Sequence, residues 1–230
     1  ALTSGGKLAE RAKQDGIPLI TIPGGLQPRA ATGYLFIPTL IILEKLGLVP
    51  QVSGDLDDMI GALENMGQRL SVTTEEAKNP AKQLAKLFYH KIPVIWGVSG
   101  TTETTAMRWK GQINENAKSP AFYSLFPELN HNEIVGFKLP ADILSRMVII
   151  ILKDTLDNER IHKRIMITKE IVLPEVKAVI EVESTGKSFL ARLYSLIYTG
   201  DYVSYYLALA YGIDPTPVEV IDFLKTQLGN

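Results

Sequence analysis

Residues 92–118, IPVIWGVSGTTETTAMRWKGQINENAK, carry the pattern that decides the fold of this chain. The first seven residues form a short apolar run rich in β-branched side chains, which predicts a buried strand over residues 92–98. After the turn, apolar residues recur at the spacing of an α-helix, which predicts a helix over residues 101–118. These residues are Ala106, Trp109, Ile113 and Ala117. Strand, turn and helix in this order form one unit of an α/β fold.

The same alternation continues along the rest of the chain. Further strands are predicted over residues 122–125, 147–153 and 178–182, and further helices over residues 56–70, 79–90, 158–171, 188–211 and 218–228. Strands that alternate with helices in this way indicate a mostly parallel sheet with helices on both faces.

The start of the chain repeats this pattern on a smaller scale. A helix over residues 7–14 precedes an apolar run at Ile17–Ile22, which we expect to be a buried strand because Pro23-Gly24 ends it. A long apolar helix follows over residues 30–46. Since one such unit is too small to form a stable sheet, we expect further sequence ahead of Ala1. The connection at residues 49–55 is the predicted domain boundary.

Composition excludes several classes of protein. The net charge of −1 gives no electrostatic basis for binding nucleic acid or an anionic membrane surface. The chain contains no cysteine, which excludes disulfide frameworks and thiolate chemistry, and its three histidines lie too far apart in sequence to suggest a metal site. Its apolar runs are too short to span a bilayer and it opens with no signal-peptide pattern, so we expect a cytoplasmic protein.

The most polar part of the chain is residues 111–137, GQINENAKSPAFYSLFPELNHNEIVGF. Glu115 lies within an Asn-Glu-Asn triplet, and His131 follows sixteen residues later. A carboxylate and an imidazole are the side chains used most often in general acid–base chemistry near neutral pH. The alternative interpretation is a helix end followed by a polar loop, since asparagine favours caps and turns.

Five segments, in order along the chain, resemble the bifunctional phosphoglucose/phosphomannose isomerases of the sugar isomerase (SIS) superfamily. They are Thr3-Ser4-Gly5-Gly6, Pro28-Arg29-Ala30-Ala31, Asn114-Glu115-Asn116-Ala117-Lys118, Pro127-Glu128 with His131-Asn132, and Asp214-Pro215-Thr216-Pro217 followed by Lys225. Each segment is weak evidence alone, whereas five in the family's order are specific.

The resemblance implies an α/β fold of three-layer SIS type, which is flavodoxin-like, with the remnant of a preceding SIS domain. Residues 1–50 would be the C-terminal part of that first domain, residues 51–90 connecting helices, and residues 91–230 a second SIS domain. The family's main phosphate-binding loops lie ahead of the Thr3 turn, so the resemblance implies a truncated chain with impaired activity.

The activity that the resemblance implies is aldose–ketose isomerisation of six-carbon sugar phosphates through an enediol, without metal or organic cofactor. Glu115 would move the proton between carbon 1 and carbon 2. His131, supplied by the other subunit of a homodimer, would assist ring opening together with Lys225. Arg29 would stabilise the enediolate, because its guanidinium is always charged and has a fixed geometry.

Three further residues are expected to bind the substrate. The small Thr216 would leave room for either configuration at carbon 2, so mannose-6-phosphate would also be accepted. Ser99 and Thr101 lie in a strand–turn–helix segment, where helix N-terminal amides can hold an anion. A threonine-rich N-cap explains that segment equally well.

A structural interpretation stands beside each functional one. Glu115 and Lys225 would then be solvated helix residues, His131 an exposed loop residue and Arg29 an ordinary helix N-terminal residue. For the whole chain, the alternatives to an isomerase are a non-catalytic SIS module that binds sugar phosphates or dimerises, and a structural fragment that associates through its tyrosine-rich helix over residues 188–211.

Overall fold

A computed structural model describes residues 1–229, and it divides the chain into two compact units, Ala1–Gly54 and a larger one from Asp55 onward. The elements of the first unit are β1 (Leu2–Thr3), α1 (Gly6–Gln14), β2 (Ile20–Thr21), a 3-10 helix (Pro28–Ala30) and α2 (Thr32–Lys45). The predicted helices of this unit are therefore present.

The predicted buried strand at Ile17–Ile22 is wrong in extent and in burial. Only Ile20 and Thr21 form the strand, which pairs in parallel with Leu2 and Thr3, and both residues of β2 are exposed. Two strands of two residues each are too short to enclose a core of their own.

The second unit contains most of the secondary structure. Its helices are α3 (Ser53–Leu70), α4 (Pro80–Phe88), α5 (Glu103–Ala117), α6 (Ala141–Leu144), α7 (Glu159–Val172), α8 (Phe189–Ala210) and α9 (Glu219–Gln227). Its strands are β3 (Ile92–Val98), β4 (Phe122–Phe126), β5 (Met147–Lys153) and β6 (Ala178–Glu183). Short 3-10 helices occur at Glu76–Lys78, Glu128–Asn130 and Glu133–Gly136.

The four strands form one parallel sheet in the order β4-β3-β5-β6. Side chains alternate between its faces, so Ile150 packs in one apolar core with α4, α5 and α8, and Ile149 packs in another with α6 and α7. The prediction of a parallel sheet with helices on both faces is confirmed, and β3 and β5 have the predicted bounds.

The contact between α5 and α8 fixes the rotation of α5. All four residues of its predicted apolar stripe are buried, including Trp109, whose Nε1 donates a hydrogen bond to the Leu196 carbonyl at 2.8 Å. Gly200 makes this possible, because a Cβ at that position would lie 2.3 Å from Trp109 Nε1. With the stripe held against α8, the opposite side of the last helical turn faces outward.

Candidate active site

Glu115 lies in the last turn of α5 and is partly buried. A helix that follows a strand in a parallel sheet runs back along it, so the end of α5 lies at the edge where the strands begin. We call this the amino edge of the sheet, and the opposite side the carboxyl edge. Ligands of open α/β sheets usually bind at the carboxyl edge.

A pocket of about 620 Å³ opens beside Glu115. One wall is the end of α5 and the turn after it, and the other is the segment that leads into α9. The lining residues are Asn114, Glu115, Lys118, Ser119, Pro120, Ile213, Asp214, Pro217, Val218, Glu219, Val220 and Ile221. A concave and mainly apolar pocket with a few convergent polar groups is the usual form of a small-molecule site.

Polar contacts with α8 hold the helical turn that carries Glu115. Asn116 donates to Ser204 Oγ at 2.9 Å, and Gln112 donates to Asp201 at 2.7 Å. Arg108 makes two hydrogen bonds to the same carboxylate, at 3.1 and 2.7 Å. Burial raises the pKa of Asp201, while the Arg108 guanidinium opposes that change. These bonds fix the end of α5 more firmly than apolar packing alone would.

The opposite wall of the pocket contains a tight turn at Asp214. The Thr216 backbone N–H donates to Asp214 Oδ1 at 2.8 Å, as in an Asx turn. This hydrogen bond holds the pKa of Asp214 below its usual range, and the nearby Lys118 ammonium lowers it further. The predicted substrate-binding residue Thr216 lies between two residues that line the pocket, Asp214 and Pro217, but among the described residues it does not line the pocket itself.

His131 occupies a different part of the second unit. It is exposed and follows the 3-10 helix Glu128–Asn130, with its backbone N–H donating to the Glu128 carbonyl at 2.8 Å. The neighbouring Glu133 accepts a hydrogen bond from Trp96 Nε1 at 3.1 Å. As far as residues 1–229 show it, the lining of the pocket includes neither His131 nor Lys225.

The two remaining predicted catalytic residues lie near the ends of the chain. Lys225 is in α9, where every residue is exposed. Arg29 is in the 3-10 helix Pro28–Ala30 of the first unit.

Ser99 and Thr101 lie at the carboxyl edge, before the first turn of α5. The helix has 15 residues, so at 1.5 Å per residue its two ends lie about 22 Å apart. A hexose phosphate held at Glu115 cannot span that distance to Ser99 or Thr101 of the same chain. The side chain of Glu103 already accepts from Ser99 Oγ at 3.2 Å, and Thr101 Oγ1 donates to Asp157 at 2.7 Å.

The described residues also bear on metal binding and on membrane insertion. Between residues 1 and 229, no group of three or more His, Asp or Glu side chains is arranged to hold a metal ion. None of the helices described there combines the length and the apolarity needed to cross a membrane.

Comparison with known proteins decides the family. A family model described as the bacterial phospho-glucose isomerase C-terminal SIS domain matches residues 77–228. A bifunctional phosphoglucose/phosphomannose isomerase of Caldicellulosiruptor bescii is 51% identical over 228 residues, which cover 99% of this chain and 67% of that protein. The chain belongs to this isomerase family.

Two other relatives also match most of this chain, and one of them carries a different enzyme name. The Aquifex aeolicus protein with the same family name is 37% identical, over 99% of this chain and 66% of its own length. A D-glucosamine-6-phosphate 4-epimerase of Sulfolobus acidocaldarius is 31% identical over 85% of this chain and 58% of its own. The chain thus spans about two thirds of the length of the bifunctional isomerases that it matches.

Solved structures support the same fold. A glucose-6-phosphate isomerase like protein from Thermus thermophilus aligns with a TM-score of 0.69 at 23% identity, covering 97% of this chain and 75% of that one. At this level of identity, the likeness concerns the fold alone.

Sequence reasoning assigned no role to two residues that shape the pocket, Lys118 and Asp214. The sequence held one indication for Lys118. The residue directly after a helix is commonly glycine, whereas the residue after this helix is lysine. Asp214 belongs to one of the segments that carry the family resemblance. Its hydrogen bond with the Thr216 backbone, however, closes a local turn that Asp-Pro-Thr sequences can form in many proteins, so it was no signal of a pocket.

Proposed function

We propose that this chain carries the proton-transferring part of an isomerase that interconverts glucose-6-phosphate, and mannose-6-phosphate, with fructose-6-phosphate. The observation that carries the proposal is Glu115, a partly buried carboxylate at the rim of a pocket, on a helix end that α8 holds in place. A general base needs this combination of access and fixed geometry. The names of the relatives supply the substrates.

In the proposed mechanism, the Glu115 carboxylate takes the proton from carbon 2 of the open-chain aldose. The electron pair of that C–H bond forms the double bond between carbon 1 and carbon 2, and the carbonyl electrons move to oxygen 1, which gives an enediolate. The hydroxyl proton on oxygen 2 passes to oxygen 1, so the negative charge moves to oxygen 2. The same Glu115 carboxyl group then returns its proton to carbon 1, and the carbonyl forms at carbon 2. Arg29 would stabilise the negative oxygen of the intermediate.

The proposal assigns His131 to the site of a second copy of the chain. Two observations support this assignment: His131 is exposed, and its position after the 3-10 helix Glu128–Asn130 is separate from the pocket that Glu115 lines. Symmetric dimers commonly share residues in this reciprocal way. Lys225, also exposed, would act with His131 in ring opening, and Thr216 would contact the substrate near carbon 2.

This proposal gives Ser99 and Thr101 no part in substrate binding. The length of α5 separates them from Glu115 of the same chain, so we propose that they do not contact a substrate held at Glu115. The domain division at residues 50 and 90 and a cytoplasmic location both stay predictions.

Hybrid dimers test the proposal. If both residues act in catalysis, the full-length protein is inactive when it carries Glu115→Gln alone and also when it carries His131→Ala alone. Random mixing gives half hybrids, each with one intact site, so activity returns to about a quarter of the wild-type value. Mixed preparations that stay inactive would contradict the shared site.

The alternatives predict other outcomes in the same experiment. A non-catalytic module binds fructose-6-phosphate without converting it, and a structural fragment neither binds nor converts it. One relative is named as a 4-epimerase, so the products are also analysed for inversion at carbon 4.

A further inference from the structure

Lys118 ends α5 in an unusual backbone conformation. Its φ of 52° and ψ of 29° lie in the left-handed region. Among the described residues 1–229, only Lys118 and His90 are non-glycine residues with positive φ. Glycine adopts this conformation without the steric penalty that a Cβ brings, and it is the usual residue at this position of a helix. A lysine here is worse for the backbone than glycine would be.

The side chain of Lys118 makes contacts that glycine could not provide. Its ammonium nitrogen lies 2.7 Å from the Glu115 carbonyl and 3.5 Å from the Asn116 carbonyl, both in the last turn of the helix. It also lies 3.2 Å from the Pro215 carbonyl, 97 residues along the chain. An ammonium group has three hydrogens to donate, and the three carbonyls match that number.

These contacts join the two walls of the pocket. Glu115 lines the helix wall, and Pro215 lies between Asp214 and Pro217, which line the opposite wall. The positive charge of Lys118 also attracts the Asp214 carboxylate in that segment. Asn116, next to Glu115 on the helix, donates to Ser204 and holds the helix end against α8. Lys118 therefore connects a fixed wall to the second segment.

We propose that Lys118 is a positioning residue that ties the Asp214–Pro217 segment to the helix end carrying Glu115, and so fixes the width of the substrate pocket. This inference rests on the proposed isomerase function. It assigns Lys118 no contact with the reacting atoms. The lysine acts through the backbone of both walls, since its contacts with Glu115, Asn116 and Pro215 are all to main-chain carbonyls.

A simple helix cap is the competing interpretation. Under that interpretation, Lys118→Gly removes one side-chain cap and supplies the residue that suits the backbone better, so activity and local dynamics stay as they are. Under our proposal, the same substitution leaves the fold intact and frees the Asp214–Pro217 segment. The two interpretations therefore differ in dynamics and in catalysis.

The test compares Lys118→Gly with Lys118→Met in the full-length protein. Both substitutions remove the ammonium group, whereas only glycine also relieves the left-handed backbone conformation. In both Lys118 variants, we expect amide hydrogen exchange at Ile213, Asp214 and Thr216, the residues of 213–217 that carry an amide hydrogen, to accelerate about tenfold or more, as for a segment released from its anchor. We expect kcat/KM to fall about tenfold as well, the scale of a misplaced substrate.

Other results overturn the proposal. Unchanged exchange at residues 213–217 in the Lys118 variants shows that the lysine is no tether, whether or not activity falls. Acceleration in Lys118→Met but not in Lys118→Gly shows that the backbone strain, and not the loss of the ammonium contacts, controls the segment. If Lys118→Gly does not fold, Lys118→Met still decides, because it keeps the side-chain stem and the backbone. Wild-type protein without isomerase activity would refute the proposed function, while the exchange data would still decide about the tether.

Discussion

The two ends of α5 differ in whether contacts within the protein close them or leave them open to a ligand. At the carboxyl edge, Glu103 accepts hydrogen bonds from Ser99 Oγ at 3.2 Å and from the Gly100 N–H at 3.4 Å. The protein's own carboxylate thus occupies donors that could otherwise hold an anion. At the amino edge, Glu115 and Lys118 border an open pocket of about 620 Å³. One end of the helix is closed by internal contacts, and the other is available to a ligand.

The helix α8 is closed in the same way at the carboxyl edge. Asp58 accepts from the backbone N–H groups of Lys187 and Ser188, at 2.8 and 2.6 Å. Beside them, Arg192 and Asp154 form a buried ion pair at 2.9 Å. The difference between the edges teaches that helix N-termini in an α/β sheet do not by themselves mark a ligand site. To bind a ligand, the backbone N–H donors of such a helix N-terminus must also lack hydrogen-bond partners within the protein.

The largest expected effect concerns the closed edge. Removal of one partner leaves the other charge buried and uncompensated, so Asp154→Ala should lower the free energy of unfolding by about 3–5 kcal/mol. Urea denaturation of the full-length protein measures it. Asp15→Ala, which breaks the exposed pair with Arg11, is the control and should cost less than about 1 kcal/mol. Equal losses for both variants would show that the Asp154–Arg192 pair contributes no more to stability than an exposed ion pair, and the closed edge would lose its structural role.

A smaller effect is expected where α5 crosses α8. Gly200→Ala places a Cβ 2.3 Å from Trp109 Nε1, so the helices must separate. We expect a loss of about 1–3 kcal/mol in the free energy of unfolding, the usual range for overpacking. Since Trp109 and Glu115 share α5, kcat should fall as well. Gly111→Ala, which has open space around its Cβ position inside α5, is the matched control. It should leave kcat unchanged and raise the free energy of unfolding by about 1 kcal/mol, because alanine favours the helix over glycine.

The smallest effect is a dependence on pH at the start of α8. The hydrogen bond from the Ser188 N–H holds the pKa of Asp58 below its usual value of 3.8. A lowered pKa in the folded state means that the ionised carboxylate favours folding above the unfolded pKa, and that this contribution disappears as the pH falls below it. Asp58→Asn should therefore melt at a lower temperature than wild type at pH 7, and this difference in melting temperature should narrow as the pH falls below about 4. A gap independent of pH would show that Asp58 acts through shape alone.

The sequence predicted the buried parts of the fold better than the exposed ones. Strands β3 and β5 have the predicted bounds, because strands buried on both faces appear as continuous apolar runs. The apolar stripe of α5 was visible for the same reason. The strand at Ile20 was overextended, since an apolar run does not reveal whether anything covers it.

The site was only partly visible in the sequence. Glu115 could be singled out from its polar triplet and the family resemblance, whereas Lys118 acquires its role from Pro215, a residue that only the folded chain brings near. The separation of Ser99 and Thr101 from Glu115 followed from helix length and could have been calculated beforehand. Roles that would depend on a second copy, such as the one proposed for His131, are not encoded in the pattern of one chain.

The central claim is that proton transfer occurs at the amino-edge end of α5. Its most direct test is deuterium incorporation into fructose-6-phosphate in D2O by the full-length protein, with Glu115→Gln compared with Glu103→Gln at the other end of the same helix. We expect Glu115→Gln to lose about 10²–10⁴ in exchange rate, the usual contribution of a general base, and Glu103→Gln to keep the wild-type rate. Wild-type exchange by Glu115→Gln, or its loss in Glu103→Gln alone, would contradict the account.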